Sequence, residues 1–205
     1  MDRQWLVVIV VASLILLSAC ESADLPWMDD FSDPTGGWLV ESDASAQVEY
    51  HDGVMRILIR LPNSIAWAAA QREFSDFRLS VDATQIAGPD DNEYGVLLRM
   101  QDPQHFYRFS ISGDGYYQVA KFDGVEWLIL SGDDWLHSEV IHPGSATNHL
   151  QVLCQGSTMA FSVNGVELVE VQDSSYSRGD VGLYAGAFFE PDVEVHFDNL
   201  RVEAP

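Results

Sequence analysis

The sequence predicts an all-β fold in which two antiparallel sheets pack as a sandwich. Several segments alternate apolar and polar residues with a period of two, which is typical of half-buried strands. In residues 76–84, for example, Phe77, Leu79, Val81 and Ala83 share one face. Turn dipeptides separate these segments, and no segment shows a helical period over 11 residues. The number of strand candidates, about fourteen, exceeds what one flat sheet usually holds, so two packed sheets are expected.

The strand candidates follow one another along the whole chain after residue 36. In order, they are 37–41, 45–51, 54–61, 76–84, 93–100, 105–112, 116–122, 125–131, 148–154, 158–163, 166–171, 180–188 and 193–202. Asp52-Gly53, Asp123-Gly124 and Asn164-Gly165 join apolar runs and tolerate the positive φ of tight hairpin turns.

The last strand candidate contains a phase break. Val193, Val195 and Phe197 are apolar at odd positions, whereas Leu200 and Val202 continue the pattern at even positions. One extra residue near Asp198-Asn199 must be absorbed, which predicts a β-bulge there.

The first nineteen residues predict a lipoprotein signal peptide. The apolar run 5–17 has 13 residues, fewer than the roughly 20 that span a bilayer. Leu17-Ser18-Ala19-Cys20 follows it and resembles a bacterial lipobox, in which the cysteine is acylated and becomes the new N-terminus. The alternatives are an ordinary signal peptide, or a membrane anchor with a chance cysteine.

This processing divides the chain into a signal peptide (1–19), a lipidated tether (20–26) and one sandwich domain (27–205). Acyl chains such as palmitate on Cys20 would hold the protein on the extracytoplasmic face of the cell membrane. Cys154 shares strand parity with Leu150 and Val152, so it is expected to pack as a small apolar residue.

The charge excludes some partners. The formal net charge is −22, whereas nucleic-acid binding needs a basic stripe on the surface. We therefore expect no nucleic-acid partner. Neutral ligands and cations remain compatible with this charge.

The two ends of the domain carry a recognisable pair of segments, Asp29-Asp30-Phe31-Ser32-Asp33 with Gly37-Trp38, and residues 195–202 (VHFDNLRV). Between them lie residues 94–99 (YGVLLR), 106–109 (FYRF) and Val163-Asn164-Gly165. Together these segments resemble the concanavalin A-like lectin/glucanase superfamily, and most closely its 3-keto-disaccharide hydrolase or laminin-G-like branch. The resemblance implies a jelly-roll sandwich with one concave face and carbohydrate as the commonest ligand.

The resemblance also raises the question of catalysis. Glucanases of this superfamily carry two Glu flanking an Asp on one strand, and spaced carboxylates are what the retaining mechanism needs. This sequence has Glu194-Val195-His196 and a turn-like Asp90-Asp91-Asn92-Glu93 instead. We therefore favour a non-catalytic role. A hydrolase acting on a modified (3-keto) disaccharide remains an alternative without assignable catalytic residues.

The resemblance further implies a structural calcium ion where the first and last strands meet. Asp198 lies at the matching position and Asp30 lies in the opening motif. Calcium requires six to eight oxygen ligands, so two carboxylates are only part of a site. The alternative is that Asp198 caps the bulge while Asp30 is a turn residue.

Basic residues predict a ligand-binding face. Pairing the hairpins around residues 102–103 and 113–114 places Arg99, Arg108, Tyr117 and Lys121 on one polar face. Such a face could bind a glycan, including one that bears carboxylate or sulfate. The alternative is internal pairing with acidic neighbours such as Asp82 and Glu126.

Tryptophans are the second ligand-binding signal, because sugars stack on exposed aromatic rings. Trp67 and Trp135 lie near predicted loops and are the candidates, whereas Trp38 and Trp127 lie in strong strand patterns and are expected in the core. The favoured function is therefore carbohydrate binding by a membrane-anchored lipoprotein. The alternatives are the disaccharide-cleaving enzyme and a structural or adhesion module that binds protein.

Overall fold

The computed structural model describes residues 24–205, so the predicted signal peptide and Cys20 lie outside the described residues. Within this range the chain forms sixteen strands and no α-helix. The strands are β1 (Trp27–Asp29), β2 (Leu39–Val40), β3 (Ala46–His51), β4 (Val54–Ile59), β5 (Ser64–Ala69), β6 (Phe77–Ala87), β7 (Asn92–Asp102), β8 (His105–Ile111), β9 (Tyr116–Asp123), β10 (Trp127–Ile129), β11 (Leu136–His137), β12 (Thr147–Gln155), β13 (Thr158–Val163), β14 (Val166–Gln172), β15 (Asp180–Ala187) and β16 (Val193–Glu203). No helix in residues 24–205 has the length and apolar character needed to cross a membrane.

The strands form two eight-stranded antiparallel sheets, which confirms the predicted sandwich. The first sheet has the order β14-β13-β12-β6-β16-β4-β3, with β1 added beside β16. The second sheet has the order β10-β9-β8-β7-β15-β5-β2, with β11 added beside β9. The first and last strands therefore meet in the first sheet.

Alternation along each strand builds the core between the sheets. On β6, Phe77, Leu79, Val81 and Ala83 are fully buried, as their shared parity predicts. The second sheet contributes the same kind of row, because one face of each of its central strands packs against the first sheet. Cys154 lies in this core, and burial raises the pKa of its thiol to about 12. Its expected role as a small apolar residue is confirmed.

Turns and bulges occur where the sequence predicts them. Asp52-Gly53 and Asn164-Gly165 have positive φ at both residues, as two-residue hairpin turns require. Asn199 has a φ of 54°, and the pairing of β16 with β6 shifts between Asp198 and Arg201. This confirms the predicted bulge in the last strand.

The structure adds strands that the sequence did not predict. β1, β5 and β11 fall in segments that are not among the strand candidates. Trp67 therefore lies within β5, paired with Tyr184 of β15, and the prediction that it lies near a loop is wrong. Small residues surround Trp67 in this strand (Ala66, Ala68 and Ala69), and they obscured its alternating pattern.

Candidate functional site

The candidate site lies on the face of the second sheet that points away from the core, which we call the outer face. In β8, Tyr107 and Phe109 pack into the core between the sheets, so Arg108 lies on the opposite face. A separate apolar cluster forms on this face from Leu97, Met100, Phe106 and Tyr184, and Trp67 and Phe122 pack against it. The outer face of the second sheet therefore carries a small hydrophobic cluster that is separate from the main core.

Four aromatic rings on the outer face form what we call the aromatic platform: Trp67, Phe106, Phe122 and Trp127. Phe106 is buried between the others, with its ring centroid 6.4 Å from Trp67, 6.0 Å from Phe122 and 5.7 Å from Trp127. Trp127 and Phe122 pair across β10 and β9, with centroids 5.0 Å apart. The Trp127 residue is 40% exposed. The expectation that Trp127 is a core residue is therefore wrong.

Arg108 lies beneath the platform and contacts its most exposed ring. The guanidinium carbon is 4.2 Å from the centroid of Trp127 and 5.9 Å from that of Tyr184. Nη1 pairs with Glu93 Oε2 at 2.7 Å, and Nη2 donates to Gln118 Oε1 at 2.9 Å. The cation–π contact with the partly buried indole of Trp127 further stabilises the position of the Arg108 guanidinium. Arg108 thus contacts the Trp127 ring on one side and pairs with the buried Glu93 carboxylate on the other.

Glu93 is the carboxylate of this buried cluster. It is only 4% exposed, and burial raises its pKa, an effect that the charge of Arg108 opposes. Tyr184 lies beside it and shares a hydrogen bond with Ser110, and burial also raises the tyrosine pKa. Among the described residues, Glu93 is the only carboxylate bonded into this cluster. A retaining glycosidase needs two carboxyl groups about 5 Å apart, and this cluster does not supply them.

Gly95 makes room for Tyr184. It pairs with Tyr184 on one side and with Ser110 on the other, so the tyrosine hydroxyl reaches Ser110 across a position without a side chain. A Cβ on Gly95 would lie 2.1 Å from the carbonyl oxygen of Phe109. Any other residue at position 95 would therefore displace the strand on which Arg108 sits.

Two residues of the predicted basic face lie on the core side of the second sheet, so the prediction of one common face is wrong. Tyr117 pairs with Ile111, and Lys121 pairs with Tyr107, both of which face the core. A turn centred on residues 113–114, as predicted, would pair β8 with β9 one residue away from the observed register. A one-residue shift moves every side chain of a strand to the opposite face.

Lys121 and Tyr117 consequently contact the first sheet. Lys121 Nζ lies 2.8 Å from Asp173 Oδ2, and the Tyr117 hydroxyl donates to the Leu168 carbonyl at 3.3 Å. Asp173 also accepts a hydrogen bond of 2.6 Å from Tyr107. These contacts fasten β14 and the segment after it to the second sheet.

Arg99 leaves the common face for a different reason. It sits at a bulge in β7, where its φ is 51° and the register with β8 shifts. Its side chain is fully buried and donates to the backbone carbonyls of Ser75, Gly156 and Tyr176. Gly156 lies in the turn between β12 and β13 of the first sheet, whereas Ser75 and Tyr176 lie in connections that run between the two sheets. Arg99 therefore joins the second sheet to the turn and to both connections.

The alternative of internal pairing is what the structure shows for these bases, with partners other than Asp82 and Glu126. Arg108 pairs with Glu93, Lys121 with Asp173, and Arg99 with Asp76 at 3.3 Å.

An open cleft lies at the edge of the second sheet beside Trp67. Its volume is about 510 Å³, and its lining comes from β2, β5 and the segment that leads into β3. We call it the edge cleft. The lining residues are Leu39, Glu41, Ser42, Asp43, Ser45, Ala46, Ile65, Ala66 and Trp67.

Trp135 lies in a second, smaller cavity of about 200 Å³ beside the turn that follows β8. Its ring makes an edge contact with Phe188, with centroids 6.0 Å apart. Asp91, Asp114 and Tyr116 also line this cavity. Trp67 and Trp135, the two predicted ligand-binding tryptophans, therefore belong to separate cavities.

Asp30 and Asp198, the two residues of the expected calcium site, lie near the pairing of β1 with β16, and each accepts local hydrogen bonds. Asp30 Oδ1 accepts hydrogen bonds from the amide and hydroxyl of Ser32, which lower its pKa. Asp198 Oδ1 accepts the amide of Asn199 at the bulge. Within residues 24–205, no group of three or more His, Cys, Asp or Glu side chains could hold a metal ion.

The segment that departs from the glucanase pattern lies on the other sheet. Glu194 accepts hydrogen bonds from Arg56 Nε at 2.8 Å and Nη2 at 3.0 Å, and it also contacts His196. These bonds, chiefly those from Arg56, lower the pKa of Glu194 to about 2. The Glu194 carboxylate therefore forms an ion pair with Arg56 on the first sheet, whereas the aromatic platform lies on the second sheet.

Sequence reasoning missed Glu93, Gln118, Tyr184 and Trp127 as members of the site. The available signal was cross-strand parity, because each shares a face with Arg108 once the pairing β10-β9-β8-β7-β15 is known. That strand order places β15 between β7 and β5, and no local pattern in the sequence specifies it.

Residues 27–203 match the model of a sequence family described as 3-keto-alpha-glucoside-1,2-lyase-like domain. No curated protein sequence matches the chain.

Solved structures share the fold at low identity. Carbohydrate binding module CBM66 from Bacillus subtilis has a TM-score of 0.57 at 18% identity, covering 82% of this chain and 96% of that one. A Bacillus licheniformis beta-glucanase has a TM-score of 0.66 at 10% identity, covering 88% and 98%. A Bacillus subtilis protein with a galectin-like fold has a TM-score of 0.65 at 13% identity, covering 86% and 94%. These likenesses confirm the jelly-roll sandwich expected from the sequence.

Proposed function

The chain belongs to the family described as 3-keto-alpha-glucoside-1,2-lyase-like domain, and within it we propose a non-catalytic carbohydrate-binding role on the extracytoplasmic membrane surface. The observation that carries this proposal is the aromatic platform. It presents the ring of Trp127, 40% exposed, beside the partly exposed rings of Phe122 and Trp67. A sugar can stack its C–H face on such rings, which are rigid and mostly apolar.

The buried cluster supports binding rather than catalysis. Glu93 is shielded from solvent and engaged with Arg108, so it is poorly placed to exchange protons with a bound sugar. Its contribution is to hold Arg108, which in turn holds Trp127. A structural neighbour, CBM66, is named as a carbohydrate binding module, which agrees with this role.

Replacing the exposed platform rings tests the proposal. We expect Trp127→Ala to weaken binding about 30-fold, the size expected of an aromatic hot spot worth about 2 kcal/mol. Trp67→Ala should act in the same direction, and the double variant should lose retention in gels that contain neutral polysaccharides. Phe189→Ala is the matched control, because Phe189 is 80% exposed and is not part of the platform. Equal retention of wild type and double variant would refute the proposal.

Membrane attachment is part of the same proposal and rests on the lipobox-like residues 17–20 (LSAC). We expect wild-type protein to incorporate labelled palmitate and to fractionate with membranes. A Cys20→Ser variant should do neither. Labelling that survives this substitution would contradict acylation at Cys20.

The second candidate function is cleavage of a 3-keto glucoside, which the family's description names. The cavity at Trp135 favours it, because Asp91 and Asp114 lie there beside an indole and Tyr116. Carboxylates and tyrosine can act as general bases and acids. Turnover of a 3-keto disaccharide that is abolished by Asp91→Asn and Asp114→Asn would establish this function in place of the first.

A further inference from the structure

The edge cleft has an amphipathic lining. Leu39, Ile65 and Trp67 supply its apolar side, and Leu39 and Ile65 are 46% and 37% exposed. Glu41, Ser42, Asp43 and Ser45 supply polar groups on the other side. An indole that faces polar acceptors is the arrangement that suits a sugar, which has apolar faces and a hydroxylated rim.

The polar side of the cleft still has acceptors available. Ser42 Oγ exchanges hydrogen bonds with the backbone of Val48, and Asp43 Oδ1 accepts from Ser45 and Ala46. By contrast, the Glu41 carboxylate and Asp43 Oδ2 make no hydrogen bond or ion pair within residues 24–205. A carboxylate accepts strong hydrogen bonds from sugar hydroxyls.

The cleft is continuous with the aromatic platform through Trp67. This residue lines the cleft and also packs against Phe106 of the platform, with centroids 6.4 Å apart. A chain of sugar units lying on the platform would therefore meet the cleft at its β5 end.

The charges along this path select against anionic ligands. The cleft lining contains no Lys or Arg. On the platform, Arg108 is already paired with Glu93. A sulfate or uronate group would find no free cation there, and in the cleft it would face two carboxylates.

We propose that the edge cleft is a second binding site that takes a further unit of a neutral glycan whose preceding units lie on the aromatic platform. This inference rests on the proposed function and adds to it the extent of the site and the ligand class. The earlier expectation that the glycan could bear carboxylate or sulfate is replaced by a neutral glycan.

The test uses oligosaccharides of increasing length cut from a neutral polysaccharide that retains the protein, together with a sulfated preparation of the same chains. Affinity for the wild type should rise once a chain is long enough to reach from the platform into the cleft. Glu41→Ala should remove that rise, a loss of about tenfold for long chains, and leave short chains unaffected. Glu190→Ala is the matched control, because it removes one charge from an exposed residue outside the cleft.

Several results would overturn the inference. Equal effects of Glu41→Ala and Glu190→Ala on long chains would show that the cleft is not used, while the platform variants would still report the proposed function. Tighter binding of sulfated chains than of neutral ones would refute the ligand class. If no neutral polysaccharide retains the wild type, the proposed function fails and this inference fails with it.

Discussion

Replacing Arg99 with methionine should destabilise the fold strongly and leave the aromatic platform intact. The side chain is completely buried and makes hydrogen bonds of 2.8–3.2 Å to the carbonyls of Ser75, Gly156 and Tyr176. Methionine fills much of the same volume but donates nothing, so these carbonyls lose their partner in a place that water reaches poorly.

The expected magnitude follows from these contacts. Breaking a buried, hydrogen-bonded charge costs about 3–5 kcal/mol, and we expect about 4 kcal/mol for Arg99→Met. In a domain of this size that corresponds to a fall in melting temperature of about 10 °C. Arg178→Met is the control. The Arg178 side chain is 65% exposed and lies 3.5 Å from Glu73, so its loss should cost less than about 0.5 kcal/mol.

Urea unfolding followed by tryptophan fluorescence measures the difference, and polysaccharide retention at low temperature measures binding by the folded variant. Two results would refute the reasoning. Stability equal to that of Arg178→Met would show that the Arg99 contacts contribute nothing. Loss of retention in a fully folded Arg99→Met protein would show that Arg99 contributes to binding as well as to stability.

Three further predictions concern pH, thiol reactivity and metal. Because Arg56 lowers the pKa of Glu194 from 4.5 to about 2, this carboxylate stabilises the fold above its unfolded pKa, and the stabilisation is lost as the pH falls toward about 2. Glu194→Gln should therefore melt below wild type at about pH 6 and close to it near pH 2 in circular-dichroism scans. In a Cys20→Ser variant, Cys154 should react with a thiol reagent only as the protein unfolds. The reason is that burial raises the pKa of its thiol to about 12. Rapid labelling of the folded protein would contradict the core position of Cys154. If the calcium site expected at Asp30 and Asp198 is real, the melting temperature in calcium should exceed that in chelator, because bound metal stabilises the folded state. Equal melting temperatures would contradict this site.

The sequence predicts strands well where one face of a strand is buried and the other is wet. The rows on β6 and β4 alternate cleanly, and the bulge at Asp198-Asn199 could be located because an apolar row changes parity there. β5 could not be predicted in the same way. Its alanines are small enough to be buried on either face, so they give no period.

The outer face of the second sheet was harder to predict because the residues on it depend on the register of strand pairing. A hairpin turn displaced by one residue was enough to place Lys121 on the wrong side of the sheet, and the bulge at Arg99 moved a second base away. Neither feature leaves a parity change as clear as the one in the last strand. The pairing of Arg108 with Leu97 could be predicted because it depends only on the short turn between β7 and β8.

The buried pair of Glu93 and Arg108 is costly for folding, since both charges leave water, yet it lies directly under the exposed ring of Trp127. A hydrophobic pair of similar volume would pack at less cost, but it could not make a cation–π contact with the indole. The planar guanidinium that makes this contact is held by its ion pair with Glu93 and its hydrogen bond to Gln118. A ring that is already fixed loses less conformational freedom when a ligand stacks on it, so more of the stacking energy appears as affinity. The ion pair therefore makes better sense as a support for the platform than as a contribution to stability. Because Arg108, the basic group of this buried cluster, is paired with Glu93, the cluster has no free positive charge with which to attract an anionic glycan.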